Sequence, residues 1–360
     1  MWGNGMGDAI RVVVLGTGQM GAGIARLLLT KPALQLVGVY ARRTERQGLD
    51  LGMAIGLDRE LGIAITTDLT ELLAQTRPQI AFQATCSTLQ DAWQELAMLI
   101  EHGVDVISIA EEMAYPAATS PVRAVQLQRL AIEHGVSLLG TGVNPGFVLD
   151  LLIITLTGVC AEVEKITATR VNDLSPYGPT VLREQGVGLT PQDFERGVNE
   201  GNVVGHVGFE QSLQMIAAAL GWQLERIEQT REPIISTVIR QTPFVTVEPG
   251  QVAGCLHTAT AYRNGKAVIQ LIHPQQILPQ LEGVATGDRI EIRGSPNINL
   301  AGSPEIPGGL ATQALAVNMI PQVVQAAPGL YCMADLPVPA AMPGGAGFRS
   351  FRHATSGEQA

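Results

Sequence analysis

The hexapeptide Gly16-Thr17-Gly18-Gln19-Met20-Gly21 directly follows an apolar run at residues 11–15 and opens an amphipathic pattern over 20–29. In that context the three glycines serve different ends. Gly16 permits the tight turn, Gly18 lets backbone approach a pyrophosphate, and Gly21 lets helix pack closely on strand. The helix start offers unpaired N–H groups to the anion. The segment therefore predicts a dinucleotide site. The adenosine ribose is read about 20 residues further on, where an acid would select NAD. Ala41-Arg42-Arg43 stands there instead. Guanidinium groups match a 2′-phosphate by bidentate, charge-assisted bonds, so NADP is the expected cofactor, as a preference and not an exclusion of NAD.

In an open α/β sheet ligands lie beyond the carboxyl ends of the strands, and polar residues there are the candidates for chemistry. Thr85-Cys86-Ser87 ends one such strand. Its small residues leave room for the nicotinamide ribose, or they begin a helix with Ser87 or Thr88 as the cap. Cys86 has no neighbouring base in sequence and reads as a packed cysteine, not a nucleophile. The next strand ends in Glu111-Glu112. Adjacent residues of an extended chain cannot both face the cleft. One of them is then a proton acceptor or an ammonium anchor, and the other is solvated or salt-bridged. Asn144, in the turn 140–147, lies near the nicotinamide or marks a hinge. Strand alternation puts Arg170 and Asn172 on one face. With Tyr177 they suit a small zwitterion, in competition with an ordinary Arg–Asp surface pair. His206 reaches the same cleft or serves as a packed structural histidine.

Short apolar runs at 11–15, 34–40, 80–84, 104–109 and 136–139 alternate with helical patterns at 20–29, 89–102 and 120–134. That alternation predicts a doubly wound parallel sheet, a Rossmann-type NAD(P)-binding domain over 1–145. After Asn144-Pro145-Gly146 longer β-like segments at 163–172, 234–247, 254–271 and 289–298 favour an antiparallel sheet. Helices at 191–201, 210–220 and 310–326 complete an α+β domain over 146–336 for substrate binding and dimerisation. The last helix is free to pack back on the first domain. Pro, Gly and Ala dominate 337–347, which predicts a mobile tail over 337–360.

Composition removes other classes of function. The 360 residues are 46% hydrophobic and 16% charged, and 23 Lys plus Arg against 33 Asp plus Glu give a net charge of −10. That sign suits neither a phosphate backbone nor an anionic membrane as partner. Cys86, Cys160, Cys255 and Cys332 form no metal-ligand spacing or disulfide framework, and no metal is expected. The N-terminus has no basic and apolar signal pattern, and the best apolar stretch, 151–161, is about half of the roughly 20 residues of a membrane helix. A cytoplasmic protein with reduced thiols is expected.

The entry hexapeptide, Glu111-Glu112, residues 143–150 (VNPGFVLD), 170–177 (RVNDLSPY), 184–189 (EQGVGL) and 205–209 (GHVGF) together resemble the 2,4-diaminopentanoate dehydrogenases and the related native amine dehydrogenases. The resemblance spans about residues 10–340. It implies a second domain like that of dihydrodipicolinate reductase, a homodimer, and reversible NAD(P)-dependent oxidative deamination of (2R,4S)-2,4-diaminopentanoate to 2-amino-4-oxopentanoate and ammonia. It also implies that Glu112 or Glu111 meets the reacting amine, with Arg170, Asn172, Tyr177 and His206 lining the substrate. The histidine pair and the Lys-x-Asp-x-Pro-Ser-Gly-Thr segment of the dihydrodipicolinate reductases are missing, which disfavours that reaction. The competing expectations are an amine dehydrogenase for simple ketones and amines or another oxo acid, and an NADP-binding sensor without catalysis.

Overall fold

The computed structural model describes residues 9–342. Strands β1 (Ile10–Leu15), β2 (Leu34–Tyr40), β3 (Ile65–Thr66), β4 (Ile80–Gln83), β5 (Asp105–Ser108) and β6 (Ser137–Gly140) pair in parallel. Parallel strands are covered on both faces and so read as continuous apolar runs. Val12, Val13, Val14 and Leu15 are accordingly all fully buried. The crossover helices Gln19–Leu28, Leu89–Glu101 and Pro121–His134 begin and end close to the expected positions. Thr88, not Ser87, caps the second: its hydroxyl accepts from the Asp91 amide at 3.2 Å.

The second sheet holds β7 (Glu162–Asp173), β8 (Arg226–Ile235), β11 (Val252–Arg263), β12 (Lys266–Gln276), β13 (Gly287–Ser295) and β14 (Ile298–Gly302), in the order β14-β13-β7-β12-β11-β8. Between them β9 (Arg240–Gln241) and β10 (Thr246–Val247) make a separate two-stranded ribbon. The expected antiparallel sheet is corrected to a mixed one, since β7 and β12 run parallel. The expected strand at 234–247 is corrected to β8, ending at Ile235. Arg226, Glu228, Thr230 and Glu232 project from an edge strand into solvent, so its polar alternation carries little apolar signal. Asn264 and Gly265, at φ of 52° and 70°, split the long segment 254–271 into the hairpin β11–β12. One face of the sheet is covered by helices Leu151–Thr157 and Phe209–Ala219, with Ile153, Phe209, Leu213 and Ile216 against Ile166, Ala168, Ala259 and Leu271.

The chain then returns to the first sheet. The single helix expected at 310–326 is two, Gly308–Asn318 and Ile320–Gln325, broken where Pro321 withholds a backbone donor. Ala316, Val317, Ile320 and Val323 pack into one core with Val12, Val14, Ile24 and Leu28. Strand β15 (Gly329–Tyr331) pairs with β6 and completes the order β15-β6-β5-β4-β1-β2-β3. A three-residue edge strand leaves too short a pattern to read. Of the expected mobile tail, the stretch up to Met342 is held by a 3.0 Å bond from the Met342 amide to Asn318 Oδ1, and the remainder lies outside the described residues. No helix among the described residues is long and apolar enough to cross a membrane.

Candidate active site

The carboxyl ends of β1, β2, β4 and β5 form the first wall. Gly16 sits at φ +114°, and a Cβ there would fall 2.4 Å from Ala84 O. A Cβ on Gly21 would fall 2.1 Å from Gly16 O, so helix and turn touch through backbone. At Gly18 the same construction meets nothing within 4 Å. Gly18 also begins the helix without a side-chain cap, and no acid lies in the first turn. Open space in front of Thr17-Gly18-Gln19-Met20, with N–H groups and the positive helix end facing it, fits a pyrophosphate.

At the end of β2, Ala41 is buried while Arg42 and Arg43 are exposed. Arg42 Nε donates to Glu95 Oε1 at 2.7 Å and its Nη2 to Asp91 O at 2.7 Å. Glu95, buried on the helix after β4, also accepts from Thr85 Oγ1 at 2.5 Å and Gln83 Nε2 at 3.4 Å. Gln83 Oε1 in turn accepts from Ser108 Oγ at 2.6 Å. Thr85 is thus turned into a buried network and away from the open cradle, while Cys86 Sγ accepts from Gln83 Nε2 at 3.2 Å. The network links the ends of β2, β4 and β5. Sequence reasoning missed Glu95, whose signal was a carboxylate on the apolar face of its helix.

The two glutamates separate cleanly. Glu112 Oε2 accepts the Leu89 amide at 2.7 Å, and its own amide donates to Ser87 O at 3.2 Å. Glu112 therefore clamps the start of helix Leu89–Glu101. Glu111 instead meets the Ser87 hydroxyl. Burial pushes its carboxyl up to about 7, its own amide and the Ser87 hydroxyl oppose that shift, and the Glu184 and Glu112 charges add to it. The turn that carries both rests on the end of β6, where a Cβ on Gly140 would fall 1.6 Å from Met113 O. Asn144, followed by a cis bond to Pro145, has both amide atoms buried without partners among the described residues.

On the second sheet a polar row crosses five strands. Asp288 on β13 faces Arg170 on β7, His273 on β12 approaches the Arg170 carbonyl at 2.6 Å, and His257 on β11 pairs with His273 and with Arg231 on β8. Arg170 Nη1 donates to Asp288 Oδ1 at 2.6 Å and its Nη2 to Ile306 O at 2.5 Å, with the side chain 2% exposed. Of the two expectations for Arg170, the Arg–Asp pair is present, buried, with Asp288 and not with the adjacent Asp173. Burial pushes His257 and His273 down to about 3, with Arg231 and Arg170 adding respectively, so both are neutral. His206 stacks edge-on to Phe209 and His273 at 4.8 and 5.1 Å, and burial holds it well below the usual imidazole range. Inward histidines on otherwise apolar alternating strands were the unused signal for this row.

Asn172 and Tyr177 line a cleft of about 740 Å³ together with Gln19 of the cradle helix, Glu305 and Gly308. The cleft joins the two walls. A Cβ on Gly308 would fall 2.7 Å from the Tyr177 hydroxyl, and burial raises that phenol. Thus Gln19, Asn172 and Tyr177 share one cavity. His206 packs against the polar row, and Arg170, paired with Asp288, has its Nη2 4.0 Å from the Gly308 Cβ position at the cleft.

Residues 147–351 match the 2,4-diaminopentanoate dehydrogenase C-terminal domain, and residues 10–108 match the dihydrodipicolinate reductase N-terminus. Over 339 residues the chain is 44% identical to a 2,4-diaminopentanoate dehydrogenase of Acetoanaerobium sticklandii, covering 94% of this chain and 96% of that one. It is 28% identical over 349 residues to an amine dehydrogenase of Streptomyces virginiae, covering 91% and 96%. The solved amine dehydrogenase from Mycobacterium smegmatis superposes with a TM-score of 0.82 at 30% identity, covering 92% and 97%. The glycine cradle and these matches together place the chain in the 2,4-diaminopentanoate dehydrogenase family, as an NAD(P)-binding dehydrogenase of amine donors.

Proposed function

We propose that this protein oxidatively deaminates 2,4-diaminopentanoate to 2-amino-4-oxopentanoate and ammonia, with Glu111 as the base. The observation that carries the reading is 44% identity over 94% of the chain to an enzyme of that name, with a desolvated carboxylate on the turn after β5, where burial raises Glu111. An alkyl ammonium titrates near 10, and only the neutral amine has the lone pair that expels hydride from its carbon. The nicotinamide, when bound, accepts that hydride. Glu111 takes the ammonium proton, and after oxidation the same carboxyl exchanges a proton with the water that adds to the imine carbon before ammonia departs. Glu112 keeps the turn in place. Gly18 and the helix start hold the pyrophosphate on the turn that Gly16 and Gly21 permit, Ser87 and Asn144 flank the nicotinamide side, and Tyr177 and Asn172 flank the substrate.

NADP is the preferred cofactor in this reading. The Nη1 edge of Arg42 has no partner among the described residues, while Glu95 and Asp91 fix its other edge. Arg43 is exposed beside it. The pair can grip a 2′-phosphate without first ordering Arg42. A homodimer is proposed through the second sheet's other face, where Thr167, Thr169, Thr258 and Thr260 are only partly covered. The commitment of Arg170 to Asp288 favours one second reading, a simple amine without a carboxylate as substrate. Purified protein incubated with NADP and 2,4-diaminopentanoate, or with cyclohexylamine, decides between them by absorbance at the reduced nicotinamide band. Reduction with the diamino acid supports the first reading, reduction only with the amine supports the second, and no reduction with either removes both.

A further inference from the structure

Buried polar atoms in folded proteins nearly always have a partner, so a cluster without partners points to a missing one. Among the described residues the atoms lacking any partner are those of Asn144, Asn172, Gln185, His206, Gln275 and Gln322. Four of these residues lie on, or are tied to, the polar row on the inner face of the second sheet. Gln275 on β12 is the register neighbour of Asn172 on β7, one step along from the row that contains His273 and Arg170. His206 lies against His273. Gln185 donates its Nε2 to Gly205 O at 2.8 Å, the residue before His206, which ties it to the loop seated on that row. Asn172, Gln185 and Gln275 are 7%, 4% and 8% exposed. Their orphaned atoms are Asn172 Oδ1, Gln185 Oε1 and Gln275 Oε1, all of them acceptors.

Three buried amide oxygens with nothing to accept from suit a ligand that only donates. A carboxylate would meet oxygen with oxygen, and a hydroxyl would serve one of the three. An ammonium has three N–H donors and no acceptor. The wider surroundings agree, because Glu184, beside Gln185, places its charge near Glu111, while the neighbouring histidines stay neutral.

We propose that Gln275 and Gln185, with Asn172, form the subsite for the substrate's second ammonium, the amino group that does not react. This rests on the diamino acid reading above and assigns the recognition of the second amine to residues with no role in the redox step. A subsite of this kind binds ground state and transition state alike, so its loss raises KM and leaves kcat.

The test uses the full-length enzyme in the reductive direction, with NADPH and ammonia, comparing 2-amino-4-oxopentanoate with 4-oxopentanoate, which lacks the second amine. The wild type should favour the amino acid, and Gln275→Leu or Gln185→Leu should cut that preference at least tenfold, through KM, with NADPH affinity retained. Gln275→Glu should restore KM to within about fivefold of wild type, because a carboxylate also accepts from ammonium. Equal losses on both oxo acids, an unchanged preference, or a Glu variant worse than the Leu variant would each overturn the subsite while leaving the reaction intact. A wild type that turns over neither oxo acid removes the reaction reading and the subsite with it.

Discussion

Two polar clusters flank the cleft, and they differ in whether their partners are present. In the first domain Ser108, Gln83, Thr85, Glu95 and Arg42 form a chain in which each side chain bonds the next. In the second, Asn172, Gln185, His206 and Gln275 lie on or are tied to one polar row, with atoms left unpaired among the described residues. A satisfied network fixes geometry, whereas an unsatisfied one holds a desolvation cost that a ligand can relieve. The contrast recurs at single residues. Glu112 is bonded to the Leu89 amide and holds the turn, while Glu111, one residue away, is desolvated toward the site. Arg170 looked like a substrate clamp by type and position, and its bonds to Asp288 and Ile306 put it with the framework.

The largest expected effect is on turnover. Glu111→Gln should lower kcat by about 10² to 10⁴, the usual worth of a general base, with NADPH binding retained in a fluorescence titration. Its stability should move the other way. Glu111 titrates near its ordinary value when unfolded and at about 7 when folded, so the folded state is progressively penalised as pH rises from the lower value through the upper one. Glu111→Gln removes that penalty. In thermal melts the variant should be more stable than the wild type by roughly 3 kcal/mol at pH 8 and should match it at pH 4.

Arg170→Ala tests the framework side of the contrast. Breaking a buried ion pair leaves Asp288 uncompensated, so chemical denaturation should show a loss of about 3 to 5 kcal/mol. Loss of activity without loss of stability would return Arg170 to the substrate. A smaller effect is expected at the cofactor's far end. Arg42→Ala with Arg43→Ala should cost about 1.5 to 3 kcal/mol in NADP use and much less in NAD use, measured as kcat/KM for each. Smaller still, Glu112→Ala should destabilise by about 1 kcal/mol, the usual cost of a lost helix-start acceptor, in thermal melts.

The first domain was legible because its signals are local. A glycine cradle after an apolar strand, a cap before each helix and continuous apolar runs all lie within a few residues of what they specify. Strand β15 was missed because three residues carry no period, and β8 because an edge strand shows solvent a polar alternation. At the site, residue type drew notice to Glu111, Glu112, Asn172 and Tyr177, but not to which glutamate holds the start of the helix after β4. That depended on the Leu89 amide, 23 positions away. The pairing of Arg170 with Asp288 spans 118 positions, and no alternation rule reaches that far. Gln275 and Gln185 were passed over because a glutamine carries no charge to draw notice. Gln275's signal was its place on the inward face of β12, two residues after His273.

The division of labour between the adjacent glutamates is tested most directly by the pH dependence of kcat/KM for 2,4-diaminopentanoate oxidation in the wild type, Glu111→Gln and Glu112→Gln. The wild type and Glu112→Gln should both show activity rising with pH through a group near 7, the value to which burial raises Glu111. In Glu111→Gln the rise near 7 should be gone, the residual rate staying low until the substrate ammonium itself deprotonates toward about 10. A Glu111→Gln enzyme that keeps the rise at full rate, or a Glu112→Gln enzyme that loses it, would contradict the account.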